Sequence, residues 1–168
     1  FFPIQDLAFR TILMFESRLE KRNITLEGLD SEPVQVWGDP DLIGQVIYNL
    51  FENATKFVNT GGTITFTFKD EPNNTSIAIR NTGAGISKEE LPKIFERFYK
   101  SDDSRSHDKT GLGIGLDITK HIVRLHKAQI SVSSEEGEYT EFLIRLPKKD
   151  APAESPTENP EKQPKDAR

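Results

Sequence analysis

Apolar residues recur along the chain with a period that switches between helix and strand. Leu7, Ile12, Phe15 and Leu19 stand at helical spacing and predict a helix over residues 7–21. Residues 24–29 alternate like a strand. Asp39 followed by Pro40 reads as an N-cap and a first helical position. The stripe Ile43, Val46, Ile47, Leu50, Ala54 and Phe57 then predicts a half-buried helix that Gly61 and Gly62 end. Residues 63–69 and 75–80 alternate as two strands across a turn-rich loop at 70–74. Ser87 and Glu90 form a capping-box pattern before a short helix. Residues 101–110 hold no large apolar side chain and predict a long loop. A glycine-rich run at 111–115 then opens a helix carrying Leu116, Thr119, Ile122, Val123 and His126. Residues 130–134 and 141–146 predict two last strands, with a hairpin turn at 135–138.

The pattern stops near residue 148. Residues 148–168 hold no large apolar side chain, and Pro152, Pro156, Pro160 and Pro164 recur every four residues. Such a segment cannot bury enough surface to offset its ordering entropy, so it is expected to be a disordered tail behind one domain over 1–147. A plain linker or a proline-rich ligand for a partner both fit its composition.

Composition narrows the chemistry. The 168 residues carry a net charge of −5, which offers no electrostatic case for nucleic acid or an acidic membrane surface. The absence of cysteine removes disulfides, thiolate nucleophiles and Cys-based metal sites, and fits a reducing cytosol. No run approaches the ~18 apolar residues of a membrane helix. The start at Phe1, without methionine or a signal pattern, is expected to be an artificial or processing boundary. His107, His121 and His126 are accompanied by neither GxSxG nor HExxH, so each reads as structural or solvated.

Four local patterns could carry chemistry. Gly111, Gly113 and Gly115 precede a helix, where backbone amides and the helix dipole attract phosphate, although glycines also serve plain turns. Asn49, Asn53 and Lys56 stand at i, i+4 and i+7 on one helix edge; a carboxamide oxygen can ligate Mg2+ and a lysine can meet phosphate, or the edge is merely solvated. The turn 81–86 (NTGAGI) either lets a flat ligand approach or links strand to helix. In 94–99 (IFERFY), Arg97 either reaches phosphate or pairs with an acid, and the apolar members suit a core.

Together, and in this order, these runs resemble the ATP-binding domain shared by histidine kinases, DNA gyrase, mismatch-repair ATPases and the large heat-shock chaperone. The N box is 39–54 (DPDLIGQVIYNLFENA), the first glycine box 81–86, the F box 94–99 and the second glycine box 111–116 (GLGIGL). The resemblance covers residues 4–147. It implies an α+β, two-layer α/β sandwich of the Bergerat type, with helices packed on a mixed β-sheet. It also implies ATP and Mg2+ as ligands. Asn53 would ligate the metal, Asn49 would sit beside it, Lys56 would contact phosphate and Phe57 would lie against adenine. Asn81, Gly83, Gly85, Ile86 and Thr140 would shape the adenine pocket. Gly111, Leu112, Gly113, Ile114, Gly115 and Leu116 would bring backbone to the phosphates. Residues 101–110 would form the ATP lid, with Arg105, Arg97 and Phe98 beside the nucleotide.

The kinase branch is the better match. Hydrolysing relatives carry a glutamate where this chain has Asn49, and loss of a general base suits transfer to an external nucleophile. Glu52 is a substitute base away from the family position. The phosphoacceptor histidine would lie on a separate dimerisation domain, so the chain alone should bind nucleotide without phosphorylating itself. The expected partners are that histidine-bearing domain and, indirectly, a response regulator. The parent is expected to be a membrane-anchored sensor kinase with this part in the cytoplasm. Three positions depart from the pattern: Asn81 for an aspartate that accepts from the adenine amino group, Tyr139 for a glycine before Thr140, and Lys127-Ala128 for a glycine pair. A neutral acceptor at 81 should cost about 1 kcal/mol. The alternative function is therefore a degenerate scaffold domain with weakened ATP binding.

Overall fold

A computed structural model describes residues 1–96 and 115–149. Its elements are β1 (Phe2–Pro3), α1 (Ile4–Lys21), β2 (Thr25–Glu27), β3 (Gln35–Val36), α2 (Pro40–Phe57), β4 (Thr63–Asp70), β5 (Asn74–Thr82), α3 (Gly115–Leu125), β6 (Gln129–Glu135) and β7 (Tyr139–Pro147). A single 3-10 turn, Leu91–Lys93, stands where the capping box predicts a short helix; Ser87 Oγ accepts from the amide of Glu90 at 3.3 Å.

The helix–sheet alternation of the sequence reappears as α1, α2 and α3 packed on a five-stranded mixed sheet of order β2-β4-β5-β7-β6. Only β2 and β4 are parallel; the other neighbours are antiparallel. This is the expected α+β two-layer arrangement. α2 is the central helix, contacting α1, α3 and β5. Its start is chemically specified: Asp39 Oδ1 accepts from the amides of Asp41 (2.9 Å) and Leu42 (3.0 Å), with Pro40 at the first position. Its stripe Ile43, Val46, Ile47, Leu50, Phe51 and Ala54 is buried.

Phenylalanine rings join the layers. Phe15 of α1 meets Phe51 of α2 edge-on at 5.4 Å, and Phe51 meets Phe66 of β4 at 5.5 Å. Each such pair adds about 0.5–1.5 kcal/mol beyond its area burial. Along β4 the alternation expected of a half-buried strand holds, with Ile64, Phe66 and Phe68 inward. β5 departs from it: residues 75–79 are all buried, because β5 is the middle strand and its small Ser76 and Ala78 lie between β4 and β7.

The β1–β3 pair, with Phe2 opposite Val36, has no counterpart in the periodicity. Buried Gln5 supports it by accepting from the Val34 amide (3.0 Å) and donating to the Glu32 carbonyl (2.8 Å). β7 is followed by Lys148, which pairs with Asp70 at 2.7 Å, and Lys149, whose ammonium lies 4.6 Å from the Trp37 ring centre. The rest of the proline-rich segment expected as a tail lies outside the described residues, as do the F-box residues Arg97 and Phe98, the lid with Arg105, and Gly111, Leu112, Gly113 and Ile114.

Candidate functional site

α2 ends at Phe57, and the chain leaves it extended at Val58. Val58 forms an antiparallel bridge with Gly83, in the turn that follows β5. This contact joins two patterns that lie 25 residues apart in the sequence. It requires glycine at 83, since a Cβ there would collide with the Phe57 carbonyl oxygen. Phe57 itself is 39% exposed at this junction, and Asn53 and Lys56 are half-buried on the same last turns of α2. Glu52 is also half-buried. The Asn53 carboxamide makes no hydrogen bond among the described residues, which leaves its oxygen as a neutral, hard ligand of the kind Mg2+ accepts alongside phosphate oxygens.

Sheet register supplies the second wall. Asn81 lies opposite Ile64 on one side and Thr140 on the other, and Thr140 lies opposite Ser134. Ile64, Asn81, Thr140 and Ser134 thus form one row across four strands. Ser134 Oγ ties the row to the glycine turn: it accepts from the Ile86 amide (2.8 Å), donates to the Tyr139 carbonyl (2.6 Å) and contacts Thr140 Oγ1 (3.0 Å). The turn is further laced to the β6–β7 hairpin, through the Gly83 amide to the Glu138 carbonyl and the Gly137 amide to the Ala84 carbonyl. Gly85 adopts φ +72°, and a Cβ there would strike the Glu135 carbonyl. Tyr139, where the resemblance leads one to expect a glycine, packs under the Arg80 guanidinium (4.1 Å to the ring centre).

Asn81 is buried at 5% exposure. Its Nδ2 donates to the Thr82 carbonyl at 3.0 Å. The Oδ1 has no hydrogen-bond partner among the described residues, so the amide keeps its accepting end for a ligand. The orientation follows from that hydrogen bond.

Asn49, expected beside the metal and phosphates, is tied to the start of α3. It is buried, and its Nδ2 donates to the Gly115 carbonyl and to Thr119 Oγ1, both at 3.2 Å. Its Oδ1 accepts from Gln45 Nε2 at 2.8 Å. Asn49 therefore anchors the first turn of α3, where Gly115 and the half-buried Leu116 close the second glycine box, to α2. A second anchor sits at the other end of α3. His126 Nε2 accepts from the Asp39 amide (3.2 Å) while Nδ1 faces the Ile122 carbonyl (2.9 Å), which gives this histidine a structural task. Ser134 and His126 were not legible as site residues, because each acts through a partner distant in sequence; Gln45 acts on Asn49 one helical turn on, and i, i+4 spacing is the signal that could have found it.

Residues 38–150 match the family model described as histidine kinase-, DNA gyrase B-, and HSP90-like ATPase. Over 115 residues the chain is 41% identical to sensor protein SrrB of Staphylococcus aureus, covering 68% of this chain and 20% of that protein. The chain thus spans about a fifth of the length of the curated relatives it matches. Among solved structures, the nucleotide-free catalytic domain of histidine kinase ThkA superposes with a TM-score of 0.72 at 28% identity, over 87% of this chain and 94% of that one. The ThkA complex with response regulator protein TrrA gives a TM-score of 0.70 at 25% identity, over 87% of this chain and 40% of that one. The four motifs in family order, the helices on a mixed five-stranded sheet and these matches agree: the chain belongs to the histidine kinase-, DNA gyrase B- and HSP90-like ATPase family, in its sensor histidine kinase branch.

Proposed function

We propose that this chain is the nucleotide-holding part of a sensor histidine kinase, binding ATP with Mg2+ and presenting the γ-phosphate to a histidine on a separate dimerisation domain of its parent. That parent is a membrane-anchored sensor whose phosphohistidine supplies a response regulator, and this part works on the cytoplasmic side. The observation that carries the reading is the Val58–Gly83 bridge, which sets the last turns of α2 against the glycine turn after β5. Asn53, Lys56 and Phe57 then stand beside the backbone of the glycine turn.

Asn53 would hold the metal by its carboxamide oxygen and Lys56 would meet phosphate. Mg2+, when bound, would neutralise charge on the phosphate oxygens. Phe57 offers its exposed ring to the base; Gly83, Gly85 and Ile86 shape its pocket; Asn81 accepts from the base amino group with Thr140 beside it. Gly111, Leu112, Gly113, Ile114, Gly115 and Leu116 would supply amides to the phosphates, and Arg97, Phe98 and Arg105 would close over them. Asn49 acts by holding α3 to α2. Glu52 is the acid available as a base for the incoming imidazole. Transfer rather than hydrolysis follows from Asn49 standing where a water-activating glutamate is needed.

The degenerate-scaffold alternative rested on Asn81. Its Nδ2 is taken by the Thr82 carbonyl while its Oδ1 has no partner among the described residues, which supports a working pocket of reduced strength. Calorimetric titration of ATP with and without Mg2+, on this chain and on Asn81→Asp, tests the reading. Binding should need the metal, and the variant should bind about fivefold tighter, an acceptor gain of roughly 1 kcal/mol. Absence of binding at millimolar ATP would sink the proposal.

A further inference from the structure

Outside all four motifs, α1 and the residue that follows it present two arginines, Arg18 and Arg22, to the end of α2. Arg22 Nη1 donates to the Thr55 carbonyl and Nη2 to the Val58 carbonyl. One turn earlier, Arg18 Nη1 donates to Thr55 Oγ1 at 3.1 Å. The Arg22 carbonyl in turn accepts from the Gly61 amide at 2.9 Å, so both sides of this residue grip the segment 55–61. The last carbonyls of a helix have no partner within it and carry its negative dipole end. A guanidinium fork that takes two of them at once is charge-assisted and fixes direction as well as distance.

What the fork holds is the wall of the proposed site. Thr55 and Val58 bracket Lys56 and Phe57, and Val58 is the residue bridged to Gly83. Beside the fork, the exit of α2 is held among the described residues by the Val58 amide to the Ala54 carbonyl (2.9 Å), by Thr82 Oγ1 donating to Asn59 Oδ1 (2.6 Å), by the Arg18 and Gly61 bonds, and by the bridge itself; of these side-chain ties, only the fork reaches the carbonyls on both sides of Lys56 and Phe57. We infer that Arg22, seconded by Arg18, is a positioning residue for nucleotide binding: it sets the last turn of α2 so that Lys56, Phe57 and the Gly83 turn face one ligand. The inference rests on the proposed ATP site for its function, and on geometry alone for the clamp.

The test uses the full chain and its Arg22→Met and Arg22→Lys variants. Mg-ATP affinity is measured by calorimetry well below each variant's melting temperature, and amide exchange at Val58 and Gly83 is followed without nucleotide. Arg22→Met should bind Mg-ATP about tenfold more weakly, the scale of a lost charge-assisted bond, with faster exchange at both amides. Arg22→Lys, which reaches one carbonyl, should recover part of both. A folded Arg22→Met with wild-type affinity and wild-type exchange overturns the inference. If Arg22→Met does not fold, Arg18→Met replaces it, with a smaller loss expected and the same overturning result. A wild-type chain that binds no nucleotide overturns the ATP reading, while the exchange data still decide the clamp.

Discussion

At the residue scale, the site depends on a few atoms whose alternatives are sterically closed. Gly85 combines a left-handed φ of +72° with the Glu135 carbonyl where a side chain would begin. Gly85→Ala should therefore cost about 1–3 kcal/mol of stability by urea denaturation, and it should weaken ATP binding because the hairpin must move. Unchanged stability would mean that the turn relaxes freely. Asn49 shows the converse case. Its carboxamide is a linker between helices, satisfied on both ends, although its position in the sequence pattern draws attention to chemistry. Buried polar groups must be paired, and the pairing partner, Gly115, lies 66 residues on. Asn53, on the same helix edge, has an oxygen with no partner among the described residues.

At the element scale, α2 is the organising unit. Its beginning, buried face and polar edge were all readable from the run 39–57, because capping, periodicity and spacing are local. The Asp39 cap gives a clean check. Asp39→Ala should lower stability by about 1 kcal/mol in chemical denaturation, while Asp39→Asn should lose little. The His126 contact is to the Asp39 backbone amide and survives either change; an equal loss in both variants would argue that the carboxylate charge, not the cap bond, matters. The ends of elements were less legible. β1 and β3 are two residues each and pair across more than 30 positions, too short for a period to register. The 3-10 turn at Leu91–Lys93 contains Pro92 and ends before a full α-turn forms, which the capping pattern alone could not reveal.

At the scale of the whole molecule, the proposed nucleotide site lies where the end of α2 meets the turn after β5, while His121 stands on α3 and His126 just after it. The chain, given ATP labelled on the γ-phosphate, should incorporate no label by itself. Adding the histidine-bearing dimerisation domain of the parent should produce acid-labile phosphate on that domain. Labelling of the isolated chain, or steady phosphate release without the second domain, would contradict a transfer function. No helix among the described residues is long and apolar enough to cross a membrane.

Sequence alone determined the class of the fold, the start and face of α2, the glycine turn at 81–86 and the family, since each is written in short-range pattern and in motif order. The tertiary structure decided which of those residues meet. The register that sets Asn81 beside Thr140, the bridge from Val58 to Gly83, the engagement of Asn49 and the grip of Arg22 on the end of α2 all join segments far apart in the chain. Such contacts carry no local signature, because their energy comes from satisfying groups that local structure leaves unpaired.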